Sequence, residues 1–512
     1  QDKFKQFVRS SPELSAEVER VFNEEFIGTI DTKWETPSWE HYPGASHEIT
    51  LYPHQKTDVT RLIRENTMLG DAVGTGKTYV LITWAMEIKR LGLATKTILI
   101  PQNATVEQFA RSFKKLYPNA RILAPSENER TGKQRNTLMA KIATGNWDAV
   151  IVPQSFAFRL PDNIDRVRGY IQERIDELRS QIIDARRAEG KRSITASDLR
   201  RALRALEERL TKLADRPQDN VLTFEQLGVD AMALDESHAV KKLEFSTQLQ
   251  NIKGLDKSYS QRGFSIFMKA RYIQEKRNGK NVVFATGTPI SNTMAEMWNI
   301  VRYLRPDLIE RYGIQTFDEF ASLFIEPRHK LEMSATGDFK MVTRLAKFAN
   351  KEPLMALWKS IADVVTAEEV NAKGLPSVKG GGPRTVSLQK TPEHAEYIEH
   401  LKEMLQAFAE MTGQQKKENS HIPMVVQGLA RKASVDMRMI NPDLPDQPGS
   451  KLNKAVGEIM RIYEYGTPVK GTQMVFADLH QDNPDNPRFD LYKELKRKLV
   501  ERGVPEREIV IA

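Results

Sequence analysis

Short apolar runs alternate with amphipathic helical patterns along the first part of the chain. Residues 96–101, 148–153 and 229–235 are apolar runs bounded by turn-forming residues, which is typical of buried parallel strands. Residues 79–91 repeat apolar positions every three or four residues, and this spacing predicts a helix. Strands that alternate with helices in this way predict a doubly wound α/β domain with a parallel sheet.

Residues 164–215 break this alternation. Apolar residues recur there at helical spacing in two stretches, and charged residues occupy the other faces. The pattern predicts two antiparallel helices, a hairpin inserted into the α/β domain. The apolar positions are Ile171, Ile175, Leu178 and Ile182, followed by Leu199, Leu203, Leu206, Leu210 and Leu213.

The regular alternation weakens after residue 305. Residues 385–388, 473–477 and 508–512 predict further strands, so we interpret the last part of the chain as an incomplete second α/β lobe. The predicted division is an N-terminal segment at 1–50, a first lobe at 51–305, a linker or helical region at 306–383 and a partial second lobe at 384–512.

The composition changes this picture little. The chain has 512 residues, of which 28% are charged and 40% hydrophobic, as in ordinary globular proteins of several domains. The formal net charge of +8 fits contact with nucleic acid and equally fits a solvated basic surface. The absence of cysteine excludes disulfides and thiolate metal sites. No apolar run approaches the roughly 18 residues of a membrane span, so we expect no membrane partner.

Residues 68–78 are the most informative stretch. They form a glycine-interrupted turn whose backbone N–H groups could converge on phosphate oxygens. Lys77 could reach the terminal phosphates, and the Thr78 hydroxyl could hold Mg²⁺. Asp71 stands where the usual pattern has glycine, so a plain strand-to-helix turn is the alternative. The candidate nucleotide contacts are Asp71, Gly74, Thr75, Gly76, Lys77 and Thr78.

An acidic pair follows the apolar run at 229–235. Asp235 and Glu236 would lie at the carboxyl edge of a strand, opposite the phosphate loop. Asp235 could hold Mg²⁺, and Glu236 could orient and deprotonate a water that attacks the terminal phosphate. An exposed strand-end pair is the alternative, but its position after the loop favours the functional interpretation. His238 could sense the phosphate.

Two further polar features accompany these motifs. Gln55 precedes the loop by about twenty residues, and its amide could donate to and accept from an adenine, or simply begin a helix. Thr286, Gly287 and Thr288 follow another apolar run. Their hydroxyl groups suit a switch that hydrogen-bonds alternately to the acidic pair and to nucleic acid.

Together these motifs resemble a known family. Gln55 and residues 71–78, 234–238 and 285–293 resemble, in this order, the adenine-reading, phosphate-loop, magnesium and coupling motifs of superfamily 2 helicases. The aspartate at position 71 resembles the Swi/Snf-type translocases on double-stranded DNA. The resemblance implies two RecA-like lobes, ATP and Mg²⁺ as cofactors, and ATP hydrolysis coupled to movement on duplex DNA.

The resemblance also implies roles for individual residues. Contacts with the DNA backbone alone would make binding non-specific and strongly salt-dependent. The implied catalytic residues are Lys77, Asp235 and Glu236, the metal ligands Thr78 and Asp235, the coupling residues His238, Thr286, Gly287 and Thr288, and the DNA contacts Gln102, Asn103, Arg431 and Lys432.

Residues 144–152, 428–434 and 470–478 resemble more closely the helicase–methyltransferase and antirestriction (Dar-type) proteins of phages and mobile elements. This implies a bacterial cytoplasmic location or delivery with a virion, and a methyltransferase or other domain in the same longer polypeptide. Gln1 in place of an initiator methionine also suggests a longer parent chain. No Asn/Asp-Pro-Pro-aromatic motif of a methyltransferase occurs in these residues.

Two alternatives to a translocase remain. A strand-separating helicase belongs to the same motor class, whereas a nucleotide-gated DNA-binding scaffold with little turnover does not. Motors of this type also take one or two arginines for the nucleotide from the second lobe, and no arginine in residues 384–512 has that context. We therefore expect this chain by itself to bind nucleotide but to hydrolyse it poorly.

Overall fold

The structure is a computed structural model in which the described residues form two compact units. One unit contains the described residues up to 330 and those within 342–375, and the other contains the described residues within 331–341 and from 376 onward. The predicted N-terminal segment lies outside the described residues as far as residue 33. The described residues are 34–130, 134–189, 194–214, 222–247, 249, 252, 255, 258–291, 293–333, 339–366, 368–370, 382–477, 479 and 489–511.

The first unit is built on a parallel sheet. The strands of the described residues are, in chain order, β1 (Met68–Leu69), β2 (Thr97–Ile100), β3 (Ile122–Leu123), β4 (Ala149–Ile151), β5 (Ala231–Asp235), β6 (Val282–Ala285), β7 (Ile325–Met333), β8 (Phe339–Phe348) and β9 (Ala362–Asp363). β7 and β8 form a separate two-stranded sheet, and the others follow the order β3-β4-β2-β5-β6-β1-β9 with parallel pairing. The predicted α/β class with a parallel sheet is confirmed.

Both faces of this sheet are buried. Successive side chains of a strand point to opposite faces. On β5, Met232 and Leu234 belong to one hydrophobic cluster, whereas Ala231 and Ala233 belong to the other. Because helices cover both faces, the strands appear in the sequence as continuous apolar runs without alternation.

The helices of the first unit are α1 (Pro53–Arg64), α2 (Lys77–Arg90), α3 (Val106–Leu116), α4 (Gln134–Thr144), α5 (Gln154–Ala157), α6 (Ile164–Glu189), α7 (Ile194–Ala214), α8 (Gln261–Lys276), α9 (Met294–Leu304), α10 (Pro306–Arg311), α11 (Phe317–Phe324) and α12 (Lys351–Ile361). The core residues of α1, α2 and α3 lie on one face of the sheet, and those of α6 to α9 lie on the other. α6 and α7 pack against each other, which confirms the inserted helical hairpin. No helix in the described part of the chain is both long and apolar enough to cross a membrane.

The first unit extends past the predicted boundary at residue 305. β9 is an edge strand of the sheet and pairs with β1, although its residues fall in the region that we interpreted as a linker. Arg61 of α1 donates to the carbonyls of Lys359 and Ala362, and it forms an ion pair with Asp363 at 3.2 Å. A strand of two residues is too short to show a periodic pattern, so the sequence analysis missed it.

The regular secondary structure of the described residues from 382 onward is helical. Their helices are α13 (Pro392–Glu410), α14 (Gly413–Glu418), α15 (Ile422–Val435), α16 (Lys451–Gly466) and α17 (Leu491–Glu501). Within the described part of this region no strand forms, so the strands predicted at 385–388, 473–477 and 508–512 are not found; residue 512 itself lies outside the described residues. The side chain of Phe476 is 86% exposed. An apolar run forms a stable strand only where neighbouring strands pair with its backbone and a second layer covers it.

Candidate functional site

The loops that carry the predicted motifs leave the sheet at the same edge. Leu69 of β1 is aligned with Ala285 of β6 on one side and with Asp363 of β9 on the other. Asp235 of β5 is also aligned with Ala285. Since the strands are parallel, the residues that follow them lie side by side at the carboxyl edge, where ligands of open α/β sheets bind.

The phosphate loop turns through two glycines with left-handed backbone, Gly74 (φ 91°) and Gly76 (φ 86°). Residues with a side chain adopt this conformation only at an energetic cost. Lys77 begins α2, and its Nζ donates to the carbonyls of Asp71 (2.7 Å) and Ala72 (3.0 Å). The ammonium group therefore lies within the loop, where phosphate oxygens could replace these two carbonyls.

Gln55 is buried beside the loop. Its Nε2 donates to the carbonyl of Thr75 (2.9 Å), and its Oε1 accepts from the backbone N–H of Tyr52 (2.9 Å). A Cβ on Gly76 would lie 2.1 Å from the same Nε2, so this contact requires glycine at position 76. Both ends of the amide contact protein backbone in this structure. The adenine contact predicted for Gln55 would require the amide to exchange partners, and it stays a prediction.

Asp71 is packed against two other carboxylates, Asp58 of α1 and Asp363 of β9. Burial and the charge of Asp363 raise the pKa of Asp71 to about 7, although the N–H of Val365 (3.1 Å) and the charge of Lys77 oppose this. The pKa of Asp58 is also raised, first by burial and then by Asp71. One carboxyl oxygen of each of these two residues has no hydrogen-bond partner within the described structure. The carboxyl group of Asp71 thus faces the interior, and only its backbone borders the loop.

The segment that follows β9 supports the loop from one side. The N–H of Gly70 donates to the carbonyl of Asp363 (2.6 Å), and the N–H of Ala72 donates to the carbonyl of Val365 (2.9 Å). These contacts were not predicted from the sequence. Asp71 and Val365 are 294 positions apart, and no local pattern marks the second of them.

Asp235 and Glu236 end β5 beside the loop. Burial and the charge of Glu236 raise the pKa of Asp235 to about 6, whereas the N–H of Glu236 (3.0 Å) and the charges of Lys77 and His238 lower it. Glu236 has left-handed backbone (φ 50°), which is uncommon for a residue other than glycine. Its Oε2 lies 3.0 Å from Nδ1 of His238. Backbone strain and a raised pKa at a partly exposed carboxyl pair are typical of functional sites.

Gln154 connects the end of β4 to the acidic pair. Its Nε2 donates to the carbonyls of Asp235 (2.8 Å) and Glu236 (3.2 Å). These bonds hold the backbone at the point where Glu236 turns. Gln154 was not predicted from the sequence, although a polar residue directly after a buried strand was an available signal.

The segment at Thr286 touches the phosphate loop. Thr286 is buried; its N–H donates to the carbonyl of Leu69 (2.9 Å) and its Oγ1 accepts from the N–H of Thr288 (3.2 Å). A Cβ on Gly287 would lie 3.0 Å from Cγ2 of Val73 in the loop. Among the described hydrogen bonds none joins this segment to the acidic pair, so its coupling role stays a prediction.

The predicted DNA contacts belong to both units. Gln102 and Asn103 follow β2, and Oδ1 of Asn103 accepts from the backbone N–H of Ser155 (3.2 Å). Arg431 and Lys432 are exposed on α15 in the second unit. The role of these four residues in DNA binding stays a prediction.

The residues present fit a Mg²⁺–nucleotide complex. In the described part of the chain, no group of three or more His, Asp or Glu side chains is arranged to enclose a metal ion. Mg²⁺ is usually held by one or two protein ligands together with substrate phosphates and water. Thr78 and Asp235 could be those ligands, since the charge of Lys77 acts on Asp235 and the phosphate loop is therefore close by.

Comparison with known families gives the class of this protein. The sequence model of a family described as a probable helicase domain matches residues 62–366. The match covers more than half of the chain, and the chain belongs to this family.

Defense against restriction protein B of Escherichia phage P1 is similar to this chain, with 24% identity over 283 residues. The match covers 54% of this chain and 12% of that relative, so the chain spans a small part of its length. The resemblance to helicases and to phage antirestriction proteins is thereby confirmed. Among solved structures, the Sulfolobus solfataricus SWI2/SNF2 ATPase core in complex with dsDNA is similar, with 14% identity and a TM-score of 0.35 over 91% of this chain and 72% of that chain.

Proposed function

We propose that this chain is the motor part of an ATP-hydrolysing translocase on double-stranded DNA. One observation carries the proposal: the phosphate loop, the pair Asp235 and Glu236, and the Thr286 segment lie side by side at one sheet edge of a helicase-family domain. In such an arrangement the bound nucleotide can change the conformation of segments that contact nucleic acid.

Each site residue has a distinct role in this proposal. The loop N–H groups and Lys77 bind and orient the terminal phosphates. Thr78 and Asp235 hold Mg²⁺, which supplies positive charge that stabilises the phosphoryl oxygens. Glu236 accepts a proton from the attacking water. Gln55 reads the nucleotide base after its amide leaves the loop carbonyl.

The name of the phage P1 relative describes defence against restriction. We place this motor in a larger antirestriction or DNA-modification protein of a phage or mobile element, acting in the bacterial cytoplasm. Contacts with the DNA backbone would let such a protein move over any sequence.

ATP hydrolysis measured with and without duplex DNA tests the proposal. Duplex DNA is expected to stimulate hydrolysis by the larger protein, whereas this chain by itself is expected to bind nucleotide and hydrolyse it poorly. Glu236→Gln is expected to abolish the stimulated hydrolysis while nucleotide binding remains, because the loop is unchanged. Hydrolysis that survives Glu236→Gln would contradict the proposal.

A displacement assay tests the mode of movement. Release of a third strand from a triplex, with the duplex left intact, is the result expected of a translocase. Release of one strand of the duplex itself would favour a strand-separating helicase.

A further inference from the structure

A cleft of about 1800 Å³ opens beside the carboxyl edge of the sheet, within the first unit. One wall is the sheet edge itself, with Gln102 and Asn103 after β2 and Gln154 at the start of α5. The opposite wall is the base of the helical hairpin, where α6 begins and α7 ends, together with the first turn of α8. We call this space the insertion cleft.

The insertion cleft carries an excess of positive charge. Asp162 contacts Nζ of Lys269 at 2.8 Å, and Asp165 contacts Arg168 at 3.1 Å. The two acidic side chains that line the cleft thus form ion pairs with cations that do not line it. They therefore do not neutralise the basic residues of the cleft. Those basic residues are Arg135, Arg159, Arg209, Lys212 and Arg262. Of these, Arg209 forms an ion pair with Glu244 at 3.8 Å, outside the lining.

Three of these arginines contact neutral groups, namely backbone carbonyls or an aromatic ring. Nε of Arg159 donates to the carbonyl of Ser155 (2.8 Å), and Arg135 donates to the carbonyl of Arg159. The guanidinium of Arg262 lies 6.0 Å from the ring centroid of Phe158. In the described part of the chain none of the three forms an ion pair. Burial and the charge of Arg159 lower the pKa of Arg135, and a bound anion would relieve this repulsion.

The aromatic residues of the cleft favour contact with phosphates over stacking with bases. Arg262 covers the ring of Phe158, and Arg209 lies 4.0 Å from the ring centroids of Tyr259 and Phe264. Proteins that bind single strands use aromatic faces as stacking platforms for bases. Here guanidinium groups occupy those faces, and a charged rim of this kind suits a sugar–phosphate backbone.

We propose that the insertion cleft binds the backbone of a DNA duplex, with Arg159 and Arg262 among its contacts. The inference rests on the proposed function, since DNA is the partner that it names. In this proposal the base of the helical hairpin forms one side of the DNA-binding cleft. Gln154 borders the cleft and donates to the carbonyls of Asp235 and Glu236, so DNA in the cleft has a direct physical route to the residues that hydrolyse ATP.

Salt-dependent binding of a short labelled duplex tests the charge contacts. The double variant Arg159→Gln/Arg262→Gln should bind more weakly, and the slope of log Kd against log salt should fall by about two, because each lost phosphate contact removes about one unit. The matched control is Arg111→Gln/Lys115→Gln, two exposed cations on α3 at the other face of the sheet. It should keep the wild-type slope. A wild-type slope in the cleft variant would overturn the inference.

Protection of a single introduced cysteine tests the position, because the natural chain has no cysteine. Duplex DNA should slow maleimide modification of Gln261→Cys, which is exposed at the cleft, and leave Lys115→Cys unaffected. Modification of Gln261→Cys at an unchanged rate would overturn the inference. Stronger protection by single-stranded DNA or duplex RNA would overturn the assignment to duplex DNA.

The two proposals can fail separately. If duplex DNA protects Gln261→Cys but does not stimulate ATP hydrolysis by the larger wild-type protein, the proposed motor function is wrong and the proposed DNA-binding role of the cleft is supported. If duplex DNA stimulates hydrolysis while the cleft variant keeps the wild-type salt slope, the proposed DNA binding by the cleft is wrong and the proposed motor function is supported.

Discussion

Two groups of carboxylates flank the phosphate loop, and they differ in their surroundings. Asp58 and Asp71, each 1% exposed, are packed with Asp363 behind the loop. Asp235 and Glu236 lie at the sheet edge, partly exposed and within the influence of Lys77. Burial raises the pKa of both Asp71 and Asp235. The charge of Lys77 acts on both Asp71 and Asp235. A raised pKa beside a cation therefore does not by itself identify a catalytic group; the carboxyl group must also be accessible to ligand.

The largest difference between the two groups is expected in ATP hydrolysis. Asp235→Asn should lower turnover about 100-fold or more, because it removes the charge of the proposed Mg²⁺ ligand. Asp71→Asn should leave turnover within about threefold, because the Asp71 carboxyl faces the interior. Steady-state hydrolysis at saturating Mg²⁺ measures both. Equal losses would remove the distinction between the groups.

The buried group should dominate the pH dependence of stability. Folded Asp71 keeps its proton up to about pH 7, whereas an unfolded aspartate loses it near pH 4. The folded state therefore binds more protons between these values, and stability falls as pH rises through the window, by up to about 1.4 kcal/mol per pH unit for this group.

Thermal unfolding followed across this pH window checks the sign. Asp71→Asn should flatten the fall in Tm, whereas Glu107→Gln, which removes an exposed carboxylate on α3, should not. A fall as steep as that of the wild type in Asp71→Asn would show that Asp71 does not hold the proton.

A smaller effect is expected where Gln154 supports the partly exposed group. Gln154→Ala removes the donors to the carbonyls of Asp235 and Glu236, so turnover should fall about tenfold through lost positioning. The KM for ATP should stay within about twofold, since Gln154 does not hydrogen-bond the loop. Gln172→Ala, at an exposed glutamine of α6, is the matched control. A change in KM with unchanged turnover would contradict this role.

The smallest effect is expected at Gly287, which lies against the loop tip at Val73. An added Cβ would lie 3.0 Å from Cγ2 of Val73, but the Val73 side chain is 81% exposed and can move. Gly287→Ala should therefore change hydrolysis by about twofold or less, and Gly287→Ala/Val73→Ala should restore it if the two positions are coupled. A loss that the second substitution does not restore would place the effect elsewhere.

The sequence predicted the central strands because burial on both faces leaves a clear apolar run. β2, β4 and β5 lie within the runs at 96–101, 148–153 and 229–235. The same rule failed at 473–477, because an apolar run does not specify whether neighbouring strands pair with it. β1 and β9 were not predicted as strands, since two residues carry no periodicity.

The site was predictable in part for a related reason. Asp235 and Thr286 end or follow apolar runs, and parallel strands bring the residues at their carboxyl ends together. Lys77 was predicted instead from the glycine-interrupted turn that precedes it. Asp363 and Gln154 were not predicted, because their contacts depend on the register of strands far apart in sequence. Asp58 is a carboxylate on the buried face of a helix, which the sequence pattern alone suggests only weakly. Its role becomes clear only from its position near Asp71 in the structure.

The contacts of Lys77 have a consequence for the rates of nucleotide exchange. Its ammonium group already has two acceptors, the carbonyls of Asp71 and Ala72. An incoming phosphate must compete with them for the N–H donors of Lys77, so loop rearrangement is expected to make association slower than diffusional encounter. The same carbonyls compete for Lys77 once the terminal phosphate has left, which would hasten the departure of ADP. These contacts of Lys77 would therefore affect the lifetime of bound ADP more than its equilibrium affinity.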